Sequence, residues 1–184
     1  MKKQSRSSEI ALAALTCAVA AVSLTLGSFV DFLLAAGYMI AVFALMVPLT
    51  QRLVRGYLLA YAGTVILSFL FTGFALGILQ LLPFAAFFGL HPLVNWLQRE
   101  YTKKKPLHLL WFFIKAVWFD LCLWLSWVVL QEFLGLSQMT WFAFVEQNLF
   151  LLLFVGGTLV FAVYDYIIFL CQGAADNIMR RIRR

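Results

Sequence analysis

The sequence predicts an all-α, polytopic integral membrane protein with six transmembrane helices and with its N- and C-termini in the cytoplasm. Three observations predict this class: the composition, the length of the apolar runs and the placement of the basic residues. Hydrophobic residues make up 64% of the 184 residues and charged residues only 12%, whereas soluble domains carry about 25% charged residues. Because a small fold is mostly surface, the bilayer must act as its solvent. We expect a single transmembrane domain over residues 1–184.

The apolar residues form long continuous runs, which favour helices over a β-barrel. Barrel strands alternate apolar and polar residues in segments of about ten, whereas a helix needs about 20 apolar residues to cross the hydrocarbon core. The predicted spans cover residues 10–30, 32–50, 57–72, 76–98, 107–130 and 146–171.

The boundaries of the spans follow from charges, glycines and prolines. The run from Ile10 to Val30 is too long for a signal-peptide core, so it is predicted as the first span. Spans three and four share a charge-free stretch, and Thr72-Gly73 and Gly77 are the expected break because glycine weakens helices and favours turns.

Within the predicted fourth span, Pro92 is expected to kink the helix beside His91, and Pro83 to do the same one or two turns earlier. Span five is followed by a predicted outer loop from Gln131 to Trp141, and span six by a basic tail, residues 174–184.

The basic residues set the orientation. Of the 14 Lys and Arg residues, all except Lys115 fall into four segments: Lys2, Lys3 and Arg6; Arg52 and Arg55; Arg99, Lys103, Lys104 and Lys105; Arg180, Arg181, Arg183 and Arg184. With the N-terminus inside, these segments alternate with outer loops that lack Lys and Arg, which is the positive-inside pattern. The net charge of +6 therefore indicates a plasma-membrane protein and not a nucleic-acid-binding one. The tail is expected to lie on anionic headgroups of the lipid bilayer, with docking to a partner as the alternative.

Three ionisable residues, Lys115, Asp120 and Asp165, lie inside predicted spans, where charges are costly and often mark functional paths. At about 1.5 Å of rise per residue, Lys115 lies about 12 Å from the inner end of its span, and Asp165 lies at a comparable depth. An ion pair between Lys115 and Asp165 is therefore predicted. Its role stays open between a structural lock of two helices and a proton- or substrate-linked pair.

Asp120 requires a different partner, because it lies about 140° around the helix from Lys115. Other polar and aromatic residues fall at similar depth, and together they predict a small-molecule site between aromatic walls. The predicted substrate-binding residues are Gln80, Asp120, Trp124, Trp127, Glu146 and Asn148. The alternative is that the tryptophans form an interfacial aromatic belt.

Catalytic and metal sites are not expected. The two histidines, His91 and His108, lack metal-binding spacing, and the three cysteines sit in apolar stretches as small hydrophobes. The sequence contains no GxxxxGK[ST], GxSxG or HExxH pattern. We therefore expect a protein that is not an enzyme and that needs no cofactor.

Small residues line the first span. Ala11, Ala14, Ala18 and Ala21 recur at spacings of three and four, which places them on one helix face. Such faces let helices approach closely in lipid. They serve either internal packing or docking to another membrane protein.

The segment Ala14-Leu15-Thr16-Cys17-Ala18, together with the length and the predicted orientation, resembles the first helix of the substrate-binding S components of energy-coupling factor transporters. The resemblance implies a six-span fold, docking of Ala14 and Ala18 onto a membrane coupling subunit with associated ATPases, and an outward-opening pocket for a vitamin-like ligand. The segment from Phe84 to Leu93 also resembles uncharacterised small membrane proteins of Gram-positive bacteria, which adds no function.

The expected function is therefore a membrane-embedded binding subunit for uptake of a small nutrient. A non-transport membrane scaffold or accessory subunit is the main alternative. A lipid-modifying enzyme or a proton-coupled carrier that uses Lys115, Asp120 and Asp165 is the third.

Overall fold

The computed structural model describes residues 6–102, 105–133 and 142–182, and these are helical throughout apart from short turns. The main helices are α1 (Arg6–Phe29), α2 (Leu34–Thr50), α3 (Val54–Thr72), α4 (Phe74–Pro83), α5 (His91–Tyr101), α6 (Lys105–Phe133), α7 (Phe142–Gln147) and α8 (Gly157–Ile182). A short 3₁₀ turn, Asp31–Leu33, precedes α2, and π-helical segments occupy Phe84–Phe88 and Leu151–Gly156. No strand occurs in these ranges, so the predicted all-α class is confirmed.

Within the described ranges, four helical stretches are long and apolar enough to cross a membrane: Arg6–Phe29, Val54–Thr72, Pro106–Val129 and Leu151–Asn177. The apolar helix Leu34–Thr50 is slightly shorter, with 17 residues. Large apolar side chains point outward along these helices; Leu15, Ile66 and Leu159 are about two-thirds exposed, at 64%, 65% and 66%. An outer surface of this kind belongs against lipid, so the chain is a membrane protein.

Helices α1, α2 and α3 pack closely through small residues. Ala20 and Ala41 are fully buried where α1 meets α2. A Cβ atom added to Gly37 would lie only 2.7 Å from the backbone oxygen of Ser23 on α1. The two backbones thus approach closely enough to exclude a side chain, which is how small residues join helices in lipid.

The predicted fourth span is a broken helix. Gly73 has φ +74, a conformation that favours glycine, and it separates α3 from α4 as predicted. The second predicted break residue, Gly77, lies instead inside α4. Pro83 ends α4 before the π-helical segment. Pro92 does not kink a continuous helix, because it lies in the first turn of α5, where its missing N–H group is not needed.

Three tyrosine hydroxyls hold this broken segment against α2 and α3. Tyr38 donates to the carbonyl oxygen of Gln80, Tyr61 to that of Ala85 and Tyr57 to that of Gly89. The irregular backbone therefore has hydrogen-bond partners in the protein, which a membrane interior requires.

The predicted sixth span, residues 146–171, comprises the end of α7, a π-helical segment and most of α8. The predicted tail from Ala174 continues α8 as far as Ile182. Residues 134–141 of the predicted outer loop, including Gly135 and Trp141, lie outside the described residues, as do Lys2, Lys3, Lys103, Lys104, Arg183 and Arg184.

Polar contacts gather the ends of several helices at one end of the bundle. Arg52, after α2, pairs with Glu100 at 3.1 Å. Arg99 of α5 pairs with Asp176 of α8 at 3.1 Å. The N–H group of Gly56 donates to the carboxylate of Glu9 on α1 at 3.0 Å. We call this region the basic end, because segments predicted to be cytoplasmic, with Arg52, Arg55 and Arg99, lie here; its other members are Glu9, Gly56, Glu100 and Asp176.

Candidate functional site

Helix α5 buries a stripe of polar side chains. His91, Asn95 and Gln98 are spaced by four and three residues, so they share one helix face. All three are buried, although each carries hydrogen-bonding groups. A polar stripe that faces inward needs polar partners on the neighbouring helices.

Helices α6 and α8 supply those partners at matching spacing. On α6, His108 and Lys115 are seven residues apart; on α8, Asp165 and Gln172 are also seven residues apart. Seven residues make about two helical turns, so each pair lies on one face. Three polar stripes therefore meet along the contact of α5, α6 and α8.

The centre of this contact is a buried charge cluster of His91, Asn95, Lys115 and Asp165. The Lys115 Nζ donates to Asp165 Oδ1 at 2.5 Å and to Asn95 Oδ1 at 2.6 Å. The His91 Nε2 lies 2.9 Å from the same Asp165 Oδ1. The Lys115 side chain is only 1% exposed. Its charge therefore depends on Asp165 for compensation, because an unpaired charge at this depth is strongly unfavourable.

The sequence predicted the pairing of Lys115 with Asp165, and the structure forms that pair. Sequence reasoning missed the participation of His91 and Asn95. The sequence does indicate them, because His91, Asn95 and Gln98 form a polar stripe within an apolar region.

Unpaired polar atoms surround the charge cluster. Among the described residues, His91 Nδ1, Asn95 Nδ2 and the Tyr164 hydroxyl have no hydrogen-bond partner. The ring of Tyr164 lies 5.0 Å from the His91 ring, so its hydroxyl belongs to the same neighbourhood. Buried polar atoms without partners are unfavourable, and they mark a place where a further polar molecule can bind.

An aromatic layer covers the cluster on the side away from the basic end. It consists of Phe87, Phe119 and Phe161, whose ring centroids lie 4.9–5.9 Å apart. The Phe87 ring also lies 5.1 Å from the His91 ring. This apolar cover excludes water from one side of the charges and strengthens their attraction.

The predicted substrate residue Asp120 is buried on α6, beyond the aromatic layer. Its Oδ2 accepts a hydrogen bond from the Thr158 hydroxyl of α8 at 3.0 Å. Gly157 permits this approach, since a Cβ atom there would lie 3.3 Å from Asp120 Oδ1. Asp120 thus has a partner on α8 that the sequence did not identify.

The predicted tryptophan walls do not form an inward-facing pair. Trp124 is 45% exposed on the outer face of α6. Trp127 stacks against Phe142 of α7 at a centroid distance of 6.0 Å. These positions fit the alternative, a tryptophan belt at the edge of the membrane.

The remaining predicted substrate residues have separate surroundings. Glu146 is exposed. The Asn148 side chain, directly after α7, donates to the carbonyl oxygen of Phe144 in that helix at 2.9 Å. Gln80 is half-buried on α4, next to the Tyr38 hydroxyl that its carbonyl accepts. The polar groups that the structure gathers are those of the charge cluster instead.

The alanines of α1 divide between two faces. Ala13, Ala20 and Ala21 are buried against the neighbouring helices, whereas Ala11, Ala14 and Ala18 are exposed, so Ala21 does not share the face predicted for all four. The first set serves internal packing. The second set, which contains both predicted docking residues, forms a shallow outer strip.

Within the described ranges, no group of three His, Cys, Asp or Glu residues is arranged to hold a metal ion. Comparisons with protein-family models, with curated proteins and with solved structures find no match to the chain.

Proposed function

We propose that the chain is a multi-pass plasma-membrane protein that binds a small polar solute at the buried charge cluster and takes part in its uptake. The observation that carries the proposal is the Lys115–Asp165 pair with its unpaired neighbours inside an apolar bundle. Buried charges at membrane depth are costly and usually mark substrate or ion paths.

The broken helix beside the cluster supports the same function. Solute sites in membrane carriers are formed where helices are interrupted, because interrupted backbone and buried side chains face a cavity there. Here the interruption between α4 and α5 ends at His91, a member of the charge cluster. π-Helical segments such as Phe84–Phe88 also occur often at functional sites.

The chemistry of the site favours a solute with a carboxylate or another hydrogen-bond acceptor. Lys115 has three N–H groups, and two of them are engaged by Asn95 and Asp165. Asn95 Nδ2 and the Tyr164 hydroxyl supply further free donors. A carboxylate would accept from these donors and would compete with Asp165 for Lys115.

The orientation in this proposal is six crossings with the basic end in the cytoplasm. The contacts at the basic end support it, since they join the start of α1, the α2–α3 turn, the end of α5 and the C-terminal half of α8. In this arrangement the broken segment from α4 to α5 makes the fourth crossing.

Native mass spectrometry of the protein extracted gently from its own membrane tests the binding role. We expect a bound small molecule that carries an acceptor group. The double variant Lys115→Met/Asp165→Asn removes both charges together and should release this molecule while the protein stays folded. Asp120→Asn is the control, since it neutralises a buried acid outside the cluster and should retain the molecule. Wild-type protein without a bound molecule, or a double variant that keeps it, would contradict the proposal.

The exposed strip of Ala11, Ala14 and Ala18 supports docking to a membrane coupling subunit with associated ATPases. A strip of small side chains lets a partner helix approach closely in lipid. The variant Ala18→Trp should abolish co-purification of that subunit. Ile66→Trp is the matched control, because Ile66 is 65% exposed on a different helix, α3. Equal loss in both variants, or in neither, would argue against docking through α1.

A second function, a membrane scaffold without a solute, is favoured by one observation: the charge cluster joins three helices, α5, α6 and α8. In a scaffold the cluster would act only as a lock between them. The two functions differ in the bound molecule, since a scaffold has none.

A further inference from the structure

The charge cluster lies between two unlike layers of side chains. The rings of the aromatic layer lie four residues along the chain from the nearest of His91, Lys115 and Asp165, in the direction away from the basic end. They belong to Phe87, Phe119 and Phe161. Four residues are about one helical turn. One turn beyond the charges, the interior is therefore closed by aromatic rings.

The side towards the basic end carries polar side chains two turns from the charges, beyond Phe112 of α6, whose ring lies 5.5 Å from that of Phe161. Three polar side chains lie seven residues from a cluster member on the same helix, in the direction of the basic end. They are Gln98 (counted from His91), His108 and Gln172. Gln98 Nε2 lies 3.1 Å from His108 Nδ1, and Gln172 Nε2 donates to the carbonyl oxygen of Pro92 at 2.7 Å. With Asn95, these three residues form what we call the polar seam.

The polar seam contains more hydrogen-bonding capacity than its residues satisfy among themselves. Within the described part of the chain, Gln98 Oε1, Gln172 Oε1 and Asn95 Nδ2 have no partner, although Gln98, Gln172 and Asn95 are only 5%, 4% and 0% exposed. Leaving one such group unpaired costs about 1–3 kcal/mol. Buried water, which makes about three hydrogen bonds to such groups, is the usual partner.

The polar seam also reaches charged residues at the protein surface. Gln98 is followed directly by Arg99, and Gln172 lies four residues before Asp176. The ion pair between Arg99 and Asp176 is about one-quarter exposed on each side chain, at 28%. Unpaired atoms therefore lie at two levels: Asn95 Nδ2 is beside the buried charges, and Gln98 Oε1 and Gln172 Oε1 are nearer to the charged residues at the protein surface.

We propose that a file of water molecules occupies the polar seam and connects the Lys115–Asp165 pair to the solution at the basic end, while the aromatic layer blocks water from the opposite end. The buried charges are thus hydrated from one side only, and water and protons reach them through α5, α6 and α8. This inference does not depend on a bound solute, so it stands or falls separately from the binding role.

Radiolytic labelling tests the water file, since X-ray pulses convert bound water into hydroxyl radicals that oxidise adjacent side chains, which mass spectrometry then locates. In the wild-type protein, His91 and Phe161 are equally buried, at 0% exposure. After correction for intrinsic reactivity, we expect His91 and His108 to be oxidised several-fold faster than Phe119 and Phe161. Slow oxidation of the fully buried His91 would overturn the inference, whatever the rate at the half-buried His108, and so would fast oxidation of the aromatic layer.

A pair of cysteine variants provides a matched readout on one helix. Gln172 and Ile168 are both buried on α8, one turn apart, but Ile168 packs in the apolar core with α1 and α2. In a background in which Cys17, Cys122 and Cys171 are replaced by serine, Gln172→Cys should be oxidised several-fold faster than Ile168→Cys. Equal rates, whether both slow or both fast, would show that the polar seam holds no specific water.

Discussion

The two halves of the bundle bury polar groups in opposite ways. In α1 and α3, buried serine and threonine hydroxyls such as those of Ser28 and Thr64 bond to their own helix: Ser28 donates to the Leu24 carbonyl oxygen at 2.8 Å and Thr64 to that of Ala60 at 2.7 Å. In α5, α6 and α8, buried polar groups bond across helices, as Lys115 does to Asn95 and Asp165. The helices α1 to α3 are therefore joined by close packing, whereas α5, α6 and α8 are joined by charged and polar side chains.

This difference follows from the solvent. Lipid provides no hydrophobic force between apolar helices, so helices associate through close packing or through polar contacts. The α1–α2 contact uses packing, with Gly37 against the backbone of Ser23. The second half places polar groups between its helices, which stabilises their contact only while every charge keeps its partner.

The largest expected effect is in the second half. Asp165→Asn alone leaves Lys115 charged and buried without compensation, and it should destabilise the fold by about 3–5 kcal/mol. Adding Lys115→Met should recover much of this loss, because two neutral groups are better than one lone charge. Denaturation in mild detergent measures both.

Asp176→Asn is the control for this pair, because it removes an acid from a partly exposed ion pair. Such pairs contribute about 0–1 kcal/mol. If Asp165→Asn were as mild as Asp176→Asn, the charge cluster would not hold the second half together.

The next largest effect is expected in the first half. Gly37→Ala places a Cβ atom against the Ser23 backbone, which has to move, and the cost should be about 1–3 kcal/mol. Gly156→Ala is the control, since no atom lies within 4 Å of the added carbon. Equal thermal stability of the two variants would mean that α1 and α2 are not closely packed.

The smallest effect tests the junction between the halves. Tyr57→Phe leaves the buried Gly89 carbonyl oxygen without its donor and should cost about 1 kcal/mol. Tyr166→Phe, on an exposed side chain of α8, should leave the unfolding midpoint unchanged. A Tyr57→Phe protein as stable as wild type would show that the Gly89 carbonyl oxygen needs no donor from α3.

The sequence predicted the features that local chemistry determines. Apolar runs gave the membrane helices, and Gly73 gave the break because its positive φ needs glycine. Depth along a helix was enough to pair Lys115 with Asp165. None of these predictions required knowledge of which helices are neighbours.

The features that the sequence did not predict depend on how helices are rotated against each other. Asp120 and Trp124 lie at the expected depth, but Asp120 bonds to Thr158 and Trp124 faces outward. The π-helical segment beside His91 was not predicted from the sequence either. The tyrosines whose hydroxyl groups donate to carbonyl oxygens in and next to it are distant in the chain.

Those tyrosines have a consequence for how the protein is made. Tyr38, Tyr57 and Tyr61 all precede, in the chain, the carbonyl groups at residues 80–89 that they bind. During synthesis the donors therefore enter the membrane before the acceptors. The irregular segment, whose carbonyl groups accept hydrogen bonds from α2 and α3, therefore emerges from the ribosome only after its donors.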